Sequence, residues 1–262
     1  MRRAVRWLLT SGLRESAPGL WVDRSAGRWF YAGMAAACIL FSVASFAPSI
    51  VNSGNRPGSF TGLTVAHGMT SFAWLLVFLV QTLLVRTGKV TLHRSLGTAS
   101  MFPATAMVVL GYTTAIAMTR RGFDLSGDLD LNADPLGPVG QIIFSLLDIT
   151  AFGILVAAGY GYRRRASVHK RLMLFATLAM LPAAFAHLFG HSPALRSHGA
   201  LVIVPFLVIS LAASGTYDLI RFRRVHPVSL WLGITLFALD NLCAAVIGPS
   251  AAWQQFAAWL IS

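Results

Sequence analysis

The sequence predicts an all-α polytopic membrane protein, and three observations carry that prediction. Seven apolar stretches fill most of the 262 residues, each near the ~20 residues a helix needs to cross a ~30 Å hydrocarbon core. Hydrophobic residues make up 56% of the chain and charged residues only 11%, with a mean hydropathy of +0.67, whereas soluble domains carry roughly 25% charged residues. Basic residues gather in alternate loops, in phase with every crossing.

The stretches lie at 29–49, 64–85, 98–119, 138–161, 171–190, 199–217 and 228–248. The loops between them are too short for a soluble domain, so residues 29–248 read as one seven-helix membrane domain. Residues 1–28 read as a cytoplasmic, interfacial segment. They are too charged for a cleaved leader, and Trp7, Trp21 and Trp29 suit headgroup depth.

In the second stretch His67, Ser71, Trp74, Phe78 and Gln81 recur at intervals of three and four, forming one stripe expected to face the bundle interior. Pro103 in the third stretch, Pro182 in the fifth and Pro205 in the sixth predict kinks. The fourth stretch places Gln141, Ser145 and Asp148 on one face, with Asp148 roughly 15 Å deep by helical rise. His187 and His191 stand four apart at the end of the fifth, and His198 opens the sixth. Asp240 and Asn241 sit in the seventh. The tail, 249–262, carries Trp253, Phe256 and Trp259 three apart and reads as an interfacial segment on the outer face. Cys38 and Cys243 are isolated, each inside a stretch, and read as small packing residues.

Of 21 Lys and Arg, 17 fall in the N-terminal segment and the second, fourth and sixth loops. The alternate loops hold Arg56, Arg120, Arg121 and Arg196, together with Asp124, Asp128, Asp130 and Asp134. The positive-inside bias therefore predicts a cytoplasmic N-terminus and a C-terminus outside. The formal charge of +12 is accounted for by loops beside anionic lipid headgroups, and nucleic acid is not an expected partner. The acidic loop lacks the glutamate an EF-hand needs and reads as a solvated loop.

The basic loops share a pattern: a basic cluster, a histidine, then the next stretch. Its residues are His93 and Arg94, then His169 and Lys170, then Arg224 and His226. This reads either as a repeat of three hairpins or as histidines sitting among lipid phosphates.

The run Ala66-His67, Trp74, Gln81-Thr-Leu-Leu-Val, Gly88 and His93-Arg94-Ser-Leu96-Gly97, with His169-Lys-Arg-Leu-Met-Leu-Phe-Ala-Thr further on, resembles an uncharacterised family of bacterial inner-membrane proteins with a His-Arg-x-Leu-Gly signature. The resemblance covers roughly residues 60–230. It implies a fold of about seven spans and a bacterial inner (plasma) membrane address; no activity comes with it. More loosely, the chain is similar to transmembrane cytochromes of the b type, a likeness that implies haem. Its loop histidines sit at helix entrances, however, rather than in pairs inside facing helices.

A charged group at the membrane centre costs at least about 2.5–3.5 kcal/mol, so polar residues there are functional candidates: His67, Gln81, Gln141, Asp148, Asp240 and Asn241. A carboxyl at the depth of Asp148 should be neutral or paired, with its proton available for exchange. His67, His187, His191 and His198 are the candidates for holding a metal ion or haem b. Phosphate-binding glycine loops, nucleophile elbows and His-Glu-x-x-His are absent, and Glu15 is the sole glutamate. Hydrolase chemistry therefore finds little support. Three activities stay open: a proton-coupled carrier with a polar cavity, a redox subunit with haem or metal, and a non-catalytic partner subunit held in a homo-oligomer or a larger complex.

Overall fold

A computed structural model describes residues 28–51, 58, 61–190 and 199–262. Helices dominate it, as lipid requires of a backbone that must satisfy its own hydrogen bonds. They are α1 (Arg28–Val51), α2 (Gly62–Arg86), α3 (Val90–Ala99), α4 (Met101–Arg121), α5 (Gly137–Gly161), α6 (Ala166–Leu178), α7 (Leu181–Gly190), α8 (Gly199–Phe222), α9 (Pro227–Leu242) and α10 (Ala251–Ile261). The five residues Cys243–Ile247 continue α9 as a π-turn.

Six stretches are long and apolar enough to cross a membrane: Trp29–Val51, Gly62–Arg86, Val90–Arg121, Gly137–Gly161, Ala166–Gly190 and Pro227–Ile247. This makes the chain a multi-pass membrane protein. The remaining expected stretch lies in α8, a helix of 24 residues.

Two helix breaks follow from proline chemistry. Pro103 has no N–H for the carbonyl of Ala99, where α3 ends, and Pro182 has none for Leu178, where α6 ends. Each pair still forms one continuous crossing, α3–α4 and α6–α7.

The α6–α7 rod is the centre of the bundle. In its most apolar window 61% of residues are buried, against 17–33% in the other five stretches, so the others surround it. It touches α1, α5, α8 and α9, while α2 joins α1 to α4 and α4 lies along α5. Trp74, Phe152, Leu172 and Phe175 form the main core. Trp74 meets Phe152 edge to face at 5.0 Å and donates from Nε1 to the Thr177 hydroxyl at 3.3 Å. Large apolar side chains such as Phe102, Leu40 and Ile154 face outward. Because lipid is as apolar as this core, side-chain fit and polar links hold the helices together.

Two sequence placements change. His93 and Arg94 belong to α3 and His169 and Lys170 to α6, not to loops. Charge marks where hydrocarbon ends, but a helix satisfies its own backbone and runs on past that point. The tail is a packed helix: Ala257 is buried, and Trp253, Leu260 and Ile261 join a cluster with Ala115 and Ile142 of α4 and α5. Ser250 caps its first turn, accepting from Trp253 N–H at 3.2 Å, and Arg120 donates to the Ile261 carbonyl.

Candidate functional site

A cavity of about 1010 Å³ opens between α1, α2, α4, α5, α7 and α9, reaching the acidic loop at one end. Its walls are largely apolar, and a few polar groups converge on it, the usual make-up of a small-molecule site. Four of the six intramembrane candidates border it: His67, Gln141, Asp148 and Asp240. Helical spacing does this work. His67 and Ser71 share one face of α2, and Gln141, Ser145 and Asp148 share one face of α5, so each helix turns a polar stripe inward.

Asp148 and Asp240, on α5 and α9, lie within electrostatic reach of each other. Three polar atoms on the same wall have no hydrogen-bond partner: His67 Nδ1, Ser71 Oγ and Thr114 Oγ1. Thr114 is only 4% exposed. A buried hydroxyl left unpaired costs about 1–3 kcal/mol, so a wall with two such hydroxyls and an unpaired ring nitrogen favours an occupant that can hydrogen-bond. Among the described residues no Lys or Arg borders the cavity, while five aspartates do.

Two candidates fall elsewhere. Gln81 turns toward α3, where Gly97 leaves room for its amide. Asn241 donates back to its own helix, to the Phe237 carbonyl at 2.8 Å. His191 and His198 lie outside the described residues.

His187 borders the cavity but is tied to the acidic loop. Its Nδ1 donates to the Ser45 carbonyl at 2.9 Å, and Nε2 lies 3.1 Å from Asp128 Oδ1. With Asp124 it completes a group of three side chains whose ligand atoms fall within 4.8 Å. The Asp124 carboxylate, however, is spent on the loop itself, accepting from the backbone N–H of Gly127, Asp128 and Leu129 at 2.9–3.1 Å. Gly127, at φ +80°, makes that turn and lets the Gly58 N–H reach its carbonyl at 2.7 Å. Burial opposes the charge of Asp128, but the hydroxyls of Ser126 and Ser49 together with His187 hold its carboxyl down at about 2. A haem ligated through Nε2 of His187 would displace Asp128 and Ser49 from that nitrogen, while the Nδ1 contact with Ser45 could remain.

At the basic-loop end, Arg171 of α6 is fully buried. It pairs with Asp218 of α8, and its Nε donates to Ser229 Oγ of α9 at 3.0 Å. Asp218 Oδ2 also accepts from Ser229 Oγ at 3.0 Å and from the His226 backbone N–H at 3.1 Å. His226 caps α9 through Nδ1, which accepts from Val228 N–H at 3.1 Å. Burial and the nearby Arg171 charge drive its pKa down to about 3, so the ring is neutral. Lys170 lies over the rings of Tyr31, Tyr217 and Phe222 at 5.1–5.9 Å, while Arg94 and Arg224 are exposed.

Sequence reading missed Arg171–Asp218, having placed Asp218 just past the sixth stretch. The available signal was charge context: apart from Glu15 and Asp23 near the N-terminus, Asp218 is the sole acid among the basic clusters. Thr114 was missed too, and nothing local in the sequence distinguishes it from the other hydroxyls of that stretch.

No family model matches the chain, and no curated protein or solved structure is similar to it.

Proposed function

We propose that this is a seven-span inner-membrane protein, N-terminus cytoplasmic and C-terminus outside, working as a proton-coupled carrier for a small hydrophobic cation. The single observation behind this reading is the cavity. It brings Asp148 and Asp240 together with the unpartnered atoms of His67, Ser71 and Thr114, and among the described residues no lysine or arginine lies on its wall. Positive charge must then come from a bound proton or from the ligand. Phe46, Phe72 and Phe144 offer apolar and cation-π surface for an organic cation, and the hydroxyls and His67 supply hydrogen bonds. Protons and cation compete for the same carboxyls, which is the elementary step of proton-coupled exchange. The charge pattern of the loops supports the orientation, and α8 supplies the seventh crossing.

The test is equilibrium binding of rhodamine 6G, a fluorescent lipophilic cation, to the purified protein in detergent. Binding should be saturable, release protons into weakly buffered solution, and weaken by about tenfold in Asp148→Asn. Binding that releases no proton and ignores both Asp148→Asn and Asp240→Asn would overturn the proposal.

A further inference from the structure

The loop histidines singled out in the sequence are left without a role by the cavity, and two of them meet. α3 and α6 bring His93 and His169 together with ring centroids 6.2 Å apart and planes at 76°. His169 Nδ1 lies 2.8 Å from the Gly159 carbonyl, so this nitrogen carries the hydrogen and donates it. The other nitrogen, Nε2, then holds a bare lone pair. His93 has the main-chain carbonyl of Gln81 within reach, and its Nδ1 is buried with no partner. Gln81 Oε1, from α2, is buried and unpartnered as well.

An imidazole anchored to a main-chain carbonyl with one nitrogen to spare, beside a second whose buried Nδ1 has no partner, resembles the outer-shell support of metal-ligating histidines. In such sites the carbonyl fixes the tautomer and aims the second nitrogen. A metal about 2.0–2.1 Å from each nitrogen at a tetrahedral angle sets the two ring centroids roughly 5 Å apart, so the rings, at 6.2 Å, would close by about 1 Å on binding. With the Nδ1 hydrogen of His169 given to the Gly159 carbonyl, its Nε2 and the Gln81 amide oxygen are acceptors, and a cation between them satisfies both.

We propose that His93 and His169, with the side-chain oxygen of Gln81, bind one divalent transition-metal ion of the imidazole-preferring kind, Zn²⁺ or Cu²⁺. Water completes its coordination. The site draws on three helices and ties α3 to α6 at the basic-loop end, independently of the cavity.

The experiment uses tag-free full-length protein, stripped with chelator in detergent and titrated calorimetrically with Zn²⁺. Cu²⁺ bound to the same protein is examined by electron paramagnetic resonance. Wild type should bind one equivalent, with nitrogen hyperfine structure from two imidazoles in the Cu²⁺ spectrum. His93→Ala and His169→Ala should each weaken Zn²⁺ binding at least about tenfold, and His187→Ala should leave it unchanged. His93→Gln, which keeps a polar side chain, serves if the alanine variant fails to fold and should weaken binding in the same way. A wild type that binds neither metal, or one equivalent retained by both histidine variants, overturns the assignment. Loss of binding in His187→Ala alone does so too, moving the metal to the acidic loop.

Discussion

Arg171 and Asp218 form a fully buried ion pair between α6 and α8, 47 residues apart in the chain, with Ser229 of α9 closing the network. Every oxygen and nitrogen the pair exposes to the protein finds a partner on one of three helices. That satisfaction makes the pair tolerable in a low-dielectric interior, and it makes either half intolerable alone. Asp218→Ala is expected to destabilise the protein by about 3–5 kcal/mol, whereas Arg171→Met combined with Asp218→Leu should recover most of that loss. Thermal unfolding of each variant in detergent measures the difference.

His226 makes stability depend on pH. Its ring stays neutral in the fold because its pKa is depressed from 6.5 to about 3. Below 6.5 the unfolded chain takes up a proton that the folded chain refuses, so this contribution is complete above 6.5 and is lost as pH falls toward 3. The slope is about 1.4 kcal/mol per pH unit within that window. Asparagine can keep the cap on α9 without titrating. Subtracting the stability of His226→Asn from that of wild type, pH by pH, should isolate the slope; a flat difference contradicts it.

Asp128 acts at lower pH. With its carboxyl depressed from 3.8 to about 2, its support of the acidic loop is complete above 3.8 and vanishes as pH falls through about 2. Pepsin should begin to cut residues 122–136 of wild type only near the bottom of that range. Asp128→Asn should be cut in the same loop throughout it.

Thr114 separates binding from folding. Thr114→Val keeps the shape and removes a buried hydroxyl that has no partner, so stability should hold or rise by about 1 kcal/mol. Rhodamine 6G affinity should nonetheless fall, by about threefold. Thermal melts and fluorescence titration of the same preparation report the two effects separately.

Much of the fold was legible before any coordinates, because lipid imposes local rules. A crossing must be a continuous apolar helix, so composition along the chain reveals it. Proline lacks an N–H, so Pro103 and Pro182 account for the breaks at Ala99 and Leu178, whereas Pro48 and Pro205 lie within unbroken helices. The inward stripes of His67 with Ser71 and of Gln141 with Asp148 are periodicities within single helices, which is why these residues could be named from spacing.

The sequence by itself determined that the chain is a multi-pass membrane protein, where its apolar rods begin and end to within about two turns, and which acids fall inside them. Tertiary structure alone decided what those acids and histidines meet. Asp218 reaches Arg171, Thr114 joins His67 and Asp148 on one wall, and His93 approaches His169, each across different helices. Such encounters depend on how helices rotate and cross against one another. That is set by the fit of many weak contacts, and no pattern inside one segment encodes it.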